Sequence, residues 1–196
     1  MTQGRETNMN RKLYVASILI ASSGFAFAGA ACAADWTVAP ETSSVGFTGT
    51  QQGTKFRGRF ETFSASISFD PDTPEGGSIV GTVQTDSVNT RDHDRDATLL
   101  DSDWFDSYTY AESRFESESI EALDDGSYRA SGQLTLKGNT KPATMKFSFD
   151  VADDSSAKFA GQMKINRFDF KIGEGWNDTS WIAEDVDIQI ELDLSH

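Results

Sequence analysis

Cysteine and histidine are almost missing from this sequence, and the few present are poorly placed for chemistry. The one cysteine, Cys32, lies in an apolar N-terminal stretch, and the two histidines, His93 and His196, stand mid-chain and at the last position. Beyond residue 34 there is therefore no thiol, no disulfide and no zinc-binding set. Phosphate-cradling glycine loops, a Gly-x-Ser-x-Gly elbow and a Ser–His pair are also absent. Carboxylates are plentiful, but 31 Asp and Glu in 196 residues bring pairs together by chance. Nothing selects two of them as a tuned pair flanking a cleft. The expectation is a protein with no catalytic residue and no cofactor. Asp92, Asp94 and Asp96, with Asp103 at the twelfth place, imitate a calcium loop. The sixth place is Ala97 where the turn needs glycine, the ninth is Leu100, and aspartate at the twelfth lacks the reach of glutamate. No metal site is expected; acids near the positive end of a short helix account for the cluster.

Long apolar runs are scarce too. The only one, residues 13–27, follows Met9-Asn10-Arg11-Lys12 and leads into the small residues 28–34. A basic start, an apolar core and a small-residue end form an export signal. Ala31 and Ala33 satisfy the small-x-small rule, so the expectation is a signal peptide over 1–34 and a mature domain over 35–196, exported to the periplasm. Serine and glycine break the run too often for a retained membrane span. Cys32 opens a second route, lipidation, although Gly29 stands where lipoprotein signals carry a larger aliphatic residue. Basic residues are the remaining shortage, 17 Lys and Arg against 31 acids. Loss of Arg5, Arg11, Lys12 and Glu6 with the signal leaves 14 against 30, a net charge of −16. Such a surface repels phosphate backbones and anionic membranes, which excludes nucleic acid as a partner.

What the sequence does have is alternation. Phe63, Ala65, Ile67 and Phe69 alternate with serine, and Tyr128, Ala130, Gly132, Leu134 and Leu136 repeat the period of two. The same holds for Met145, Phe147, Phe149 and Val151, for Phe159, Gly161, Met163 and Ile165, and for Val186, Ile188, Ile190, Leu192 and Leu194. Period two means strands with one buried and one wet face. Asp70-Pro71-Asp72-Thr73-Pro74 with Gly76-Gly77, Asp124-Asp125-Gly126 and Lys137-Gly138-Asn139 supply the turns. Strands at short spacing over about 160 residues predict an all-β, antiparallel single domain, a sandwich or a barrel. Residues 91–104 break the pattern and predict a short helix or an irregular crossover. The inward phenylalanines either fill a solid core or line a cavity, and periodicity leaves both open.

Several segments, taken in order, resemble one family. Trp36-Thr37-Val38 precedes Ser43-Ser44-Val45-Gly46-Phe47. Thr90-Arg91-Asp92 and Arg95-Asp96 lead into Leu99-Leu100-Asp101-Ser102-Asp103-Trp104-Phe105, and Ser113-Arg114-Phe115 follows. The most specific run is Gly132-Gln133-Leu134-Thr135-Leu136-Lys137-Gly138-Asn139-Thr140-Lys141-Pro142, with Asn139 where the pattern has valine. Ile165-Asn166-Arg167-Phe168-Asp169-Phe170 then precedes a Gly-Glu-Gly-Trp loop at 173–176. Together these resemble the YceI-like family of periplasmic polyisoprenoid-binding proteins, although that family's early histidine-rich opening is replaced by Gly46-Phe47-Thr48-Gly49.

The resemblance implies an eight-stranded, lipocalin-like barrel enclosing a long isoprenoid lipid, a quinone or a prenyl phosphate, without catalysis. It makes Phe47, Phe69, Phe105, Phe115, Phe147, Phe149, Phe159 and Met163 the candidate lumen residues. Arg167 and Lys141 either meet an anionic head group or form salt bridges with the many acids. The Gly-Glu-Gly-Trp loop resembles the subgroup found beside cytochrome b561-type membrane proteins, which implies such a cytochrome as a partner. The alternative function is a solid-cored interaction or stress-response module.

Overall fold

The computed structural model describes Met1, residues 34–153 and residues 155–196. The body of the expected signal peptide, with Cys32, lies outside the described residues. Eleven strand segments follow: β1 (Ala34–Val38), β2 (Ser44–Gln51), β3 (Thr54–Phe60), β4 (Phe63–Phe69), β5 (Ser78–Gln84), β6 (Val88–Asn89), β7 (Glu112–Ala122), β8 (Tyr128–Leu136), β9 (Asn139–Asp153), β10 (Ser156–Asn166) and β11 (Asp185–Ser195). Among the described residues one α-helix, α1 (His93–Leu100), sits between β6 and β7.

Eleven segments make eight strands, because three of the strands are bent. β4 pairs with β1 while β3 pairs with β2, so β1–β2 and β3–β4 are two long antiparallel strands, each interrupted once. The first breaks at a 3-10 turn over Pro40–Thr42, the second at Glu61 and Thr62. β5 and β6 likewise continue one another across Thr85–Ser87 and pair with β4 and β3. From there β7, β8, β9, β10 and β11 pair in chain order, and β11 closes on the first strand through Val45–Ile190 and Thr37–Ser195. The result is a closed, eight-stranded, antiparallel barrel with one short helix. Closure removes the exposed sheet edges that an open antiparallel sheet would carry.

Local chemistry sets the corners. Gln52-Gly53 and Lys137-Gly138 both have left-handed φ at their two central positions, 50° and 75°, and 46° and 68°. That is the two-residue hairpin geometry whose twist matches the flanking strands. The short helix begins where the acid cluster predicts. Asp92 caps it by accepting from the Arg95 N–H at 3.1 Å. The Asp96 carboxylate accepts from the Thr90 N–H at 2.7 Å and its hydroxyl at 2.6 Å, tying the helix to the end of β6.

The two ends of the barrel differ. One end, the floor, carries the β4–β5, β7–β8 and β9–β10 turns with the start of β1 and the end of β11. Here Trp36, Phe69, Tyr128, Phe147, Phe149 and Phe159 stack into a continuous aromatic block. Phe147 lies parallel to Phe159 at 4.9 Å, and Phe69 meets Tyr128, Phe149 and Phe147 at 4.9, 4.9 and 5.4 Å. The Trp36 indole N–H donates to the Phe69 carbonyl at 3.0 Å, so that donor is satisfied inside the block. The other end bears the β2–β3 and β8–β9 hairpins, α1 with the segment after it, and residues 167–184.

Candidate functional site

Beneath that second end lies a cavity of about 170 Å³. Its walls are almost wholly apolar: Val45, Phe47, Phe56 and Phe60 from the first bent strands, Ile79 and Phe115 from β5 and β7, Met145 and Met163 from β9 and β10, and Ile188 and Ile190 from β11. An eight-stranded barrel filled by large rings would have no room left. Room exists here because glycines stand opposite phenylalanines in register. Phe47 faces Gly58, Gly49 faces Phe56, and Gly81 faces Phe115. A Cβ at Gly58 would run into the Phe47 ring, and one at Gly49 would lie 2.8 Å from Phe56. At Gly81, a lining residue, a Cβ would meet nothing within 4 Å.

The roof comes from α1, the segment after it and the segment between β10 and β11. Leu99, Trp104, Phe105, Ile172 and Ile182 contribute to the lining. The Arg95 guanidinium lies 4.3 Å above the Phe56 ring and pairs with Asp92 at 3.4 Å, covering the wall from outside. The barrel wall itself is parted on one side. The β9–β10 ladder runs only from Asp153 to Lys146, so residues 139–145 and 163–166 have no partner in each other. A 3-10 turn over Arg167–Phe170 occupies that wedge, with Phe170 and Ile172 buried in it. The Asn139 amide fixes the turn by donating to the Phe170 carbonyl at 3.1 Å.

Arg167 holds the roof loop together. It is 2% exposed, and its five N–H donors all reach backbone carbonyls: Ala183 and Ile182 at 3.1 Å, Ile172 at 2.9 Å, Gly173 at 2.7 Å and Trp176 at 2.6 Å. Its plane stacks on Phe168 at 3.9 Å. Burial pushes the guanidinium pKa down, and the charge of Glu184 opposes that shift. The expectation of a head-group contact or a salt bridge is therefore corrected for this residue. The planar fork is spent on loop carbonyls, and no donor remains for a ligand anion. Two other polar atoms of lining residues, the Trp104 indole N–H and the Ser113 hydroxyl, are buried with no protein partner.

The eight candidate lumen residues divide between the two ends. Phe47, Phe105, Phe115, Phe159 and Met163 line the cavity. Phe69, Phe147 and Phe149 also point inward but belong to the packed floor, where neighbouring rings fill the space before them. Lys141 is exposed on β9 and lies outside the lining. Periodicity alone missed Phe56 and Phe60, although Phe56-Arg57-Gly58-Arg59-Phe60 carries the same alternation of inward and outward residues. Trp104 and Ile182 sit in irregular segments, where no period marks them.

The chain is similar to known proteins in sequence and, among solved structures, in fold. A profile of the YceI-like domain matches residues 36–194. A UPF0312 protein of Vibrio campbellii is 30% identical over 172 residues, covering 84% of this chain and 89% of that protein. One from Pseudomonas fluorescens is 34% identical, covering 81% and 86%. Among solved structures, Burkholderia cenocepacia BcnA superposes with a TM-score of 0.76 at 30% identity, covering 80% of this chain and 98% of that one. A polyisoprenoid binding domain from Saccharophagus degradans has a TM-score of 0.64 at 16% identity, covering 82% and 97%, a likeness of fold.

Proposed function

The chain belongs to the YceI-like family, and on that footing we propose that it is an exported, periplasmic binding protein that encloses the hydrocarbon chain of an isoprenoid lipid, without catalysing a reaction. The observation that carries this reading is the apolar cavity inside the barrel, kept open by Gly81 and roofed by α1 and the 167–184 segment. Its walls are almost wholly hydrocarbon, with few polar atoms among them. The barrel shared with a polyisoprenoid binding domain supports the ligand class at the level of fold.

Each methylene moved from water into such a cavity is favoured by about 0.8 kcal/mol. In a cell the competing solvent is the membrane, which accommodates the tail equally well, so the net preference is small and exchange is easy. That suits a carrier or a sequestering protein. At about 170 Å³ the cavity is smaller than the roughly 300–1,000 Å³ of ordinary ligand pockets. A long chain therefore displaces part of the roof or of the wedge between β9 and β10 as it enters. The spent donors of Arg167 favour an uncharged head, such as a quinone, over a prenyl phosphate. The unpartnered Trp104 N–H and Ser113 hydroxyl are suited to a neutral polar group.

Mass spectrometry of an organic extract of protein purified from its own cells tests the proposal. The expected result is a stoichiometric isoprenoid of neutral head group. A protein that yields no lipid, and takes up none when refolded with quinone, would sink it.

A further inference from the structure

The exposed aromatic residues are not scattered. Among the described residues they are Tyr108, Tyr110, Trp176 and Trp181, with 100, 36, 47 and 53% exposure. All four lie at the roofed end of the barrel, on two of its connecting segments, that between α1 and β7 and that between β10 and β11. The Trp181 carbonyl accepts from the Gln52 N–H of the β2–β3 hairpin at 2.7 Å, and the next residue, Ile182, lines the cavity. Trp176 packs 6.4 Å from Trp104, another lining residue. Tyr110 lies over Gly138 of the β8–β9 hairpin, and Tyr108 stands free beside it. Among the described residues the floor, by contrast, exposes only Val151 of its large apolar residues.

Four amphipathic rings around the mouth of an apolar cavity call for an explanation that a soluble coat does not give. Isolated exposed apolar residues are ordinary, but a cluster at one end marks a contact surface. Tryptophan and tyrosine are the side chains that settle at the head-group level of a bilayer, ring towards the acyl chains and polar atom towards water. Charge then narrows the choice of bilayer. Asp101, Asp106, Glu174, Asp178 and Glu184 stand on the same segments. Ser180 donates to Asp178 through its hydroxyl and its N–H, which holds that carboxyl pKa down and keeps it charged. Nearby, the Lys137 ammonium is engaged with the carbonyls of Asp103 and Lys171. An anionic surface is repelled by this rim. The outward ammonium groups of zwitterionic lipids complement it.

We propose that the roofed end docks on a zwitterionic lipid bilayer through Trp176, Trp181, Tyr108 and Tyr110, so that the cavity mouth meets the membrane from which its ligand comes. The proposal rests on the reading of the cavity as a lipid site, and the two fail separately. Flotation with phosphatidylcholine vesicles, at constant ionic strength, is the test. The wild-type protein is expected to float with the vesicles, with tryptophan emission shifted to the blue. Y108S/W181S is expected to bind about tenfold more weakly, as befits the loss of two exposed anchors. Replacing a third of the lipid by phosphatidylglycerol is expected to release the wild type. Docking is overturned if the wild type ignores phosphatidylcholine vesicles, or if phosphatidylglycerol strengthens binding. It is equally overturned if Y108S/W181S, folded by circular dichroism, binds as well as the wild type. Should that variant not fold, the comparison of the two vesicle types on the wild type still decides. Lipid content, read on the same samples by mass spectrometry, reports on the cavity alone.

Discussion

Gly81 and Gly161 each stand opposite an inward phenylalanine, Phe115 and Phe147, yet the space before them is used in opposite ways. A Cβ at Gly161 would meet the Phe159 ring at 2.8 Å and the Met145 sulfur at 2.9 Å, whereas one at Gly81 would meet nothing within 4 Å. The floor uses its glycine to pack rings more tightly. The roofed half uses its glycine to leave a void. One barrel thus holds a solid core and a cavity, and the choice between the two that the inward phenylalanines pose has a different answer at each end.

Stability should divide along the same line. Phe147→Ala removes a 2%-exposed ring stacked on Phe159 and Tyr128 and met edge-on by Phe69. The expected cost is about 3–5 kcal/mol in denaturant unfolding of ligand-free protein. Phe105→Ala, at the cavity, should cost clearly less, about 1–2 kcal/mol, because its partly buried ring already faces the open cavity. Equal costs at the two positions would erase the distinction between the ends.

The roof depends on polar organisation where the floor depends on rings. Arg167→Met leaves five carbonyls without their shared donor, and the expected loss is about 2–4 kcal/mol. Hydrogen exchange locates it. Amides of residues 172–183 should lose protection, while those of the floor strands keep theirs. Uniform loss throughout the barrel would show that Arg167 supports the whole fold and not the roof alone.

Much of this was legible in the sequence, for identifiable reasons. The period of two in β8 to β11 and turns such as Lys137-Gly138 fix strands and hairpins locally, so the barrel followed once the family pattern supplied closure. The three broken strands were not legible, because Pro40–Thr42, Glu61-Thr62 and Thr85–Ser87 read as ordinary turns until register shows the ladder resuming beyond them. Nor does alternation say how deep an inward residue lies, which is why Phe147 and Phe115 carry the same pattern with different surroundings. Arg167 was found, but its role was not, since its partners are backbone carbonyls that leave no trace in sequence. Net charge also concealed placement: a charge of −14 over the whole chain says nothing of aromatic rings gathered at one end.

Smaller effects should follow the carboxylates. At the floor, Asp125 is held well below the usual carboxyl range, first by the Lys146 ammonium at 2.7 Å and then by Ser127. Asp193 is lowered by Lys158 at 2.6 Å and by Thr42, and Asp153 by the N–H and hydroxyl of Ser155. Because the folded state binds these protons less readily, the stabilisation is complete above about pH 3.8 and is lost as pH falls through the lower folded values. The Lys158 pKa is raised by the same Asp193 contact. Its contribution is present below pH 10.5 and lost as pH rises through the folded value. All are exposed and salt-screened, so each contribution is small. Carbon-detected NMR titration of Lys146→Ala should show the Asp125 carboxyl moving up towards 3.8, while Asp178, held by Ser180 at the roofed end, stays where it is. A shift at both would mean that long-range charge, and not the local contact, sets these values.

The cavity as the lipid site is tested most directly at Gly81. Gly81→Leu puts a branched side chain into space that is empty, on a strand where the backbone is extended and leucine fits better than glycine. The melting temperature of the ligand-free variant should equal or exceed that of the wild type, and the isoprenoid recovered per protein by mass spectrometry should fall several-fold. A variant of unchanged stability that still carries its full complement of lipid would place the ligand elsewhere and contradict the account.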